Sequence, residues 1–96
     1  MGKAFIVYSF LGSPQPERLA EYAGLARKAV EANSGRFIVR GLPAQTYEDS
    51  LSECTIIIEF VSFEKTMAAY ESPAYQAARN LLGPVSRDVR VVELAD

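Results

Sequence analysis

The sequence predicts an α+β fold: a ferredoxin-like β-α-β-β-α-β chain, with a four-stranded antiparallel sheet and two helices on one of its faces. Three observations carry this reading. Four short runs rich in β-branched and aromatic residues are interspersed with stretches of helical periodicity. Two of those runs follow one another with no helix between them, whereas parallel neighbours would need a crossover. The chain has 96 residues, 49% hydrophobic and 23% charged, the composition of one globular domain over 1–96.

Each element has its own warrant. Ala4-Phe5-Ile6-Val7-Tyr8-Ser9-Phe10 reads as strand one. Leu11-Gly12-Ser13-Pro14-Gln15-Pro16 is a breaker cluster, and either proline can open a helix. Glu17 and Glu21 suit the positive end of that helix, and Leu19, Tyr22, Ala23, Ala26, Ala29 and Val30 recur at helical spacing. Asn33-Ser34-Gly35 closes it. Residues 36–40 form strand two, and a long polar connection leads to strand three over 54–61. Ser62 caps a helix over 63–71, Ser72-Pro73 starts a second helical segment to about Leu82, and Gly83-Pro84 ends it. Residues 88–94 form strand four.

Side chains alternate across a strand, so each strand shows two sets. The wholly apolar sets are Phe5 and Val7, Phe37 and Val39, Cys54 through Phe60 at alternate positions, and Val92 and Leu94. These are assigned to the helix side. The other sets contain Tyr8, Arg40 and Glu59 but are still mostly apolar, which is unusual for a face in water. A second apolar face of this size marks an interface, and two such sheets packed together make a dimeric barrel.

Several function classes are disfavoured by composition. The net charge of −2 does not suit a nucleic-acid binder. No apolar run approaches the ~20 residues of a membrane span. Met1-Gly2-Lys3 and the short run after it do not make a secretory leader, so the expected location is the cytoplasm. There is no histidine and only one cysteine, Cys54, which removes the usual metal and haem ligands. No metal or other cofactor is therefore expected.

Three segments carry a family resemblance. Gly35-Arg36-Phe37-Ile38-Val39-Arg40-Gly41 is one. The second is Ile57-Ile58-Glu59-Phe60 with Ser62, followed by Tyr70-Glu71-Ser72-Pro73-Ala74-Tyr75-Gln76. The third runs from Asp88 to Glu93. Together they resemble the bacterial family catalogued as domain of unknown function 1330, within the dimeric α/β-barrel superfamily. Ala69, Glu71 and Ala74 stand where that family usually has tryptophan, asparagine and glutamate, and Gln15-Pro16 where it has aspartate-proline. The resemblance implies a scaffold whose relatives include cofactor-free monooxygenases, isomerases, dehydratases and haem enzymes. It does not imply one reaction.

The ligand-binding candidates are Arg40, Glu59, Tyr8, Tyr70, Ser72 and Tyr75. Arg40 and Glu59 are charges inside apolar strands, assigned to the barrel interior. There they make either an anion clamp with a proton acceptor or a structural ion pair. The three tyrosines can offer phenol hydrogen bonds or simply pack their rings. Ser72 reads first as a helix cap, because no histidine base or nucleophile elbow is present to activate it. No catalytic residue is assignable. The functional expectation is a homodimer that binds a small organic molecule between sheet and helices, turning it over without a cofactor if it is an enzyme. The rival is a non-catalytic assembly or ligand-sensing module.

Overall fold

The computed structural model describes residues 2–95; Met1 and Asp96, the ends of the expected domain, lie outside the described residues. The elements run β1 (Ala4–Phe10), α1 (Pro16–Ala32), β2 (Arg36–Gly41), β3 (Thr55–Phe60), α2 (Phe63–Glu71), α3 (Pro73–Leu81) and β4 (Arg87–Glu93). All strand pairs are antiparallel, in the order β2-β3-β1-β4. This is the ferredoxin-like arrangement, with the two central strands, β1 and β3, carrying the core.

There are three helices rather than two. Ser72 is extended, with φ −65° and ψ 147°, because the residue before a proline is pushed out of the helical region. Its hydroxyl then serves both helix ends, donating to the Ala69 carbonyl at 2.8 Å and accepting from the Tyr75 amide at 3.1 Å. Ser62 caps α2 in the expected way, accepting from the Lys65 amide. Pro16 opens α1 in its first turn, and Gln15 before it makes no side-chain cap. Gly35, between α1 and β2, is fully enclosed. A Cβ there would meet Val30 Cγ1 at 2.8 Å and Phe60 Cδ2 at 2.9 Å, so glycine lets the end of α1 lie directly on the sheet.

The core joins Ile6, Tyr8 and Phe10 of β1, Ile56, Ile58 and Phe60 of β3, and the buried faces of all three helices. The face assignment is therefore correct for β3 and inverted for β1 and β4. The cause is register: directly paired residues share a face. Ile58 pairs with Ile6 and Ile56 with Tyr8, so these go inward together. Val91 and Val89 follow through their own pairings with Ile6 and Tyr8. Phe5, Val7 and Val92 consequently lie on the open side.

β2 brings a second correction. Its register with β3 shifts between Phe37 and Val39, where Ile38 is an extra residue. Phe37 pairs with Ile58, yet Arg40 pairs with Ile56, so both stand on the helix side. Arg36 pairs with Glu59 on the open side. Arg40 and Glu59 thus lie on opposite faces of the sheet, so within the chain they form neither the clamp nor a direct ion pair. Glu59 instead accepts from Arg36 at 2.8 Å and Lys3 at 3.1 Å, and these two hydrogen bonds hold its carboxyl below the usual range.

Candidate functional site

A polar network lies within the apolar core where α1, α3, β1 and β4 meet. Tyr8 comes from β1, Tyr22 from the buried stripe of α1 and Tyr75 from the first turn of α3. Their hydroxyls form a chain: Tyr8 to Tyr22 at 3.0 Å and Tyr22 to Tyr75 at 2.6 Å. Arg87, the first residue of β4, donates from one terminal nitrogen to Tyr22 and Tyr75, each at 3.1 Å. Its guanidinium also lies 4.6 Å from the Tyr8 ring centroid and 5.4 Å from that of Tyr22. Tyr70 packs on Tyr75 with centroids 5.1 Å apart.

The proton count of this network decides what it can do. Three phenols bring three protons, and the two hydroxyl–hydroxyl bonds use two of them. One proton at an end of the chain, on Tyr8 or Tyr75, is left to offer elsewhere. Burial pushes the Tyr8 phenol up to about 12, against the pull of its hydrogen bond to Tyr22. Burial raises Tyr22 and Tyr75 as well, helped by repulsion between neighbouring phenolates. All three therefore act at neutral pH as hydrogen-bond donors and acceptors, not as phenolate bases. Burial opposes the charge on Arg87, but the oxygens of Tyr75 and Tyr22 outweigh it and keep the guanidinium charged.

These shifts predict an alkaline transition. Below pH ~10, the ordinary phenol value, folded and unfolded chains both keep the protons and the stability is intact. Above it the unfolded chain ionises first, so stability falls as pH rises through about 12. Phenolate absorbance and circular dichroism followed together check this. Tyr8, Tyr22 and Tyr75 ionise only as the fold is lost; ionisation of all three near the ordinary value in an intact fold contradicts the buried network.

Beside the network, between α1 and the sheet, is a cleft of about 320 Å³. Its walls are mainly apolar, from residues such as Phe10, Leu19, Ala23, Phe37 and Ile56, with Tyr8 and Tyr22 at its inner side. Cys54 also lines it as a half-buried free thiol. Arg40, exposed and stacked 4.7 Å from the Phe37 centroid, is its unpaired cation: no carboxylate among the described residues bonds it. Among the described residues no three histidine, cysteine, aspartate or glutamate side chains gather as metal ligands.

The six residues picked from the sequence therefore separate. Tyr8 and Tyr75 meet in the network, with Tyr70 against it. Arg40 reaches the cleft, whereas Glu59 is on the other face and Ser72 is occupied as a cap. Tyr22 and Arg87 were missed as functional residues. Tyr22 reads as one more position of the apolar stripe of α1. Arg87 has a detectable signal: with Val89 and Val91 it continues the inward set of β4 one step earlier than the expected strand start.

Fold and site together define a ferredoxin-like α+β protein with a tyrosine–arginine network beneath its helices. Residues 3–95 match the family described as domain of unknown function (DUF1330), and the chain belongs to that family. It is similar to a protein of unknown function from Rhodopseudomonas palustris, at 16% identity and TM-score 0.74 over 99% of this chain and 84% of the other. A dimeric ferredoxin-like protein of unknown function from Jannaschia sp. CCS1 aligns with TM-score 0.75 and 14% identity, over 97% of this chain and 100% of that one. SnoaB, a cofactor-independent oxygenase from Streptomyces nogalater, aligns with TM-score 0.67 and 11% identity, over 100% and 96% of the two chains. No curated protein matches the sequence. At these identities the structural likenesses establish the fold. No helix among the described residues is long and apolar enough to cross a membrane.

Proposed function

We propose that the chain is a single domain that works as a homodimer and binds a flat, mainly apolar small molecule bearing one acidic or carbonyl end. The observation that carries the ligand reading is the cleft. An engineered cavity of about 150 Å³ takes benzene, so one of about 320 Å³ suits a molecule of roughly two fused rings. Arg40 meets the acidic end and the Tyr8–Tyr22 hydroxyls meet any polar group that reaches the inner wall. The dimer reading is supported by the open sheet face. Val39 and Val92 are each 43% exposed there, beside half-buried Phe5, Val7 and Ile57. Two such faces packed together make the dimeric barrel, and several solved structures of the fold are described as dimeric.

A second reading is turnover of the bound molecule without a cofactor. The left-over phenol proton favours it, because a neutral donor next to a charged guanidinium stabilises a developing oxyanion. The fold shared with a cofactor-independent oxygenase is in keeping with it. Titration with 2-naphthoate tests the binding reading common to both. Saturable binding is expected, weakened about tenfold or more in Arg40→Gln, which loses one charge-assisted hydrogen bond. Ala23→Phe, which fills the cleft, should remove it. Binding indifferent to both substitutions would exclude the cleft.

A further inference from the structure

A separate cavity lies on the far side of the network. It measures about 160 Å³, space for roughly five waters. The end of α3, the turn after it and β4 enclose it, with Tyr70, Arg79, Leu82, Gly83, Val85 and Arg87 in its wall. Gly83, at φ 75°, supplies the left-handed turn that ends α3 and folds the chain back across the cavity.

Its charge is one-sided. Two guanidiniums line it and no carboxylate does. None of the ion pairs among the described residues involves Arg79 or Arg87. The donor count of Arg87 is equally one-sided. One terminal nitrogen spends both its protons on Tyr22 and Tyr75. The other terminal nitrogen and Nε keep three N–H groups with no acceptor among the described residues. Arg79 is steadied by its Nε bond to Gln76 at 3.0 Å, which leaves both its terminal nitrogens free. Tyr70 lines the same space, and its hydroxyl has no hydrogen-bond partner among the described residues. A half-buried cation such as Arg87 with only phenols for company is electrostatically incomplete, since charges drawn out of water are normally paired.

We propose that this cavity is an oxyanion site. It takes one carboxylate or phosphate group, with Arg87 and Arg79 as the charged donors and Tyr70 as a third. The site is distinct from the cleft: its two arginines line only this cavity, and Arg40 lines only the cleft.

Inorganic phosphate and acetate are the probes, each titrated at ionic strength held constant with sodium chloride, with binding read by calorimetry and thermal melts. Saturable binding accompanied by a rise in melting temperature is expected from at least one of them, and the stronger of the two identifies the anion class. Arg79→Gln, a substitution on an exposed side chain, should weaken it about tenfold or more, with unchanged near-ultraviolet dichroism showing that the fold is kept. Arg40→Gln should leave it unchanged, so a failed cleft and a failed anion site give different results. The proposal is overturned if neither anion binds saturably beyond the chloride control. It is equally overturned if binding survives Arg79→Gln, or vanishes in Arg40→Gln.

Discussion

Ile57→Asp is expected to convert the proposed dimer to a monomer. Ile57 sits at the centre of the open face, paired with Val7 on one side and Val39 on the other. A carboxylate placed there goes in among apolar neighbours, and the cations of that face, Arg36, Lys3 and Arg90, are already paired with Glu59 and Asp88. An unpaired charge in an apolar interface costs on the order of 4 kcal/mol and a symmetric dimer holds two, so the dimer dissociation constant rises about a thousandfold or more. The same side chain lies on the open face and reaches water in the isolated chain, so the monomer keeps its fold. Sedimentation equilibrium at micromolar concentration reads the change directly. A wild-type chain that already sediments at 10.5 kDa would remove the barrel from the proposal.

The second large effect belongs to the network. Tyr22→Phe deletes the one hydroxyl that Tyr8, Tyr75 and Arg87 all share. Each lost bond is worth about 1 kcal/mol net, and partners left buried without a bond raise the total to about 2–4 kcal/mol. For a domain of this size that lowers the melting temperature by roughly 10 °C or more. Tyr47→Phe is the matched control, because Tyr47 is 74% exposed. Equal melts for the two variants would mean that the hydroxyl chain contributes no stability.

The same two sites show which parts of the structure were legible in the sequence. Alternation within β1, β3 and β4 is plain, and so are the helix starts at Ser62 and Ser72-Pro73, while of the two prolines able to open α1 the structure uses Pro16. What alternation cannot give is which set of one strand shares a face with which set of the next. That depends on register, and Ile6 against Ile58 settles it only once the strands are paired. The bulge at Ile38 is harder still. Arg36, Ile38 and Arg40 look like one face when counted by twos, yet one extra residue sends Arg40 to the helices and leaves Arg36 with Glu59.

The site was half legible for related reasons. Tyr8, Tyr70 and Tyr75 stand out as aromatics with a polar end, and all three lie at the network. Tyr22 gives no such signal inside an alanine-rich stripe. Arg87 lies next to the turn that follows α3, where an arginine is expected to be solvated. Its burial is a product of tertiary packing, as the edge strand β4 carries it under the helices beside Tyr8.

A crystal structure grown with 2-naphthoate tests the proposed ligand site most directly. The cleft predicts the fused rings between α1 and the sheet, against Phe37 and Ile56, with the carboxylate at Arg40. Rings bound on the open sheet face, with the cleft filled only by water, would contradict it.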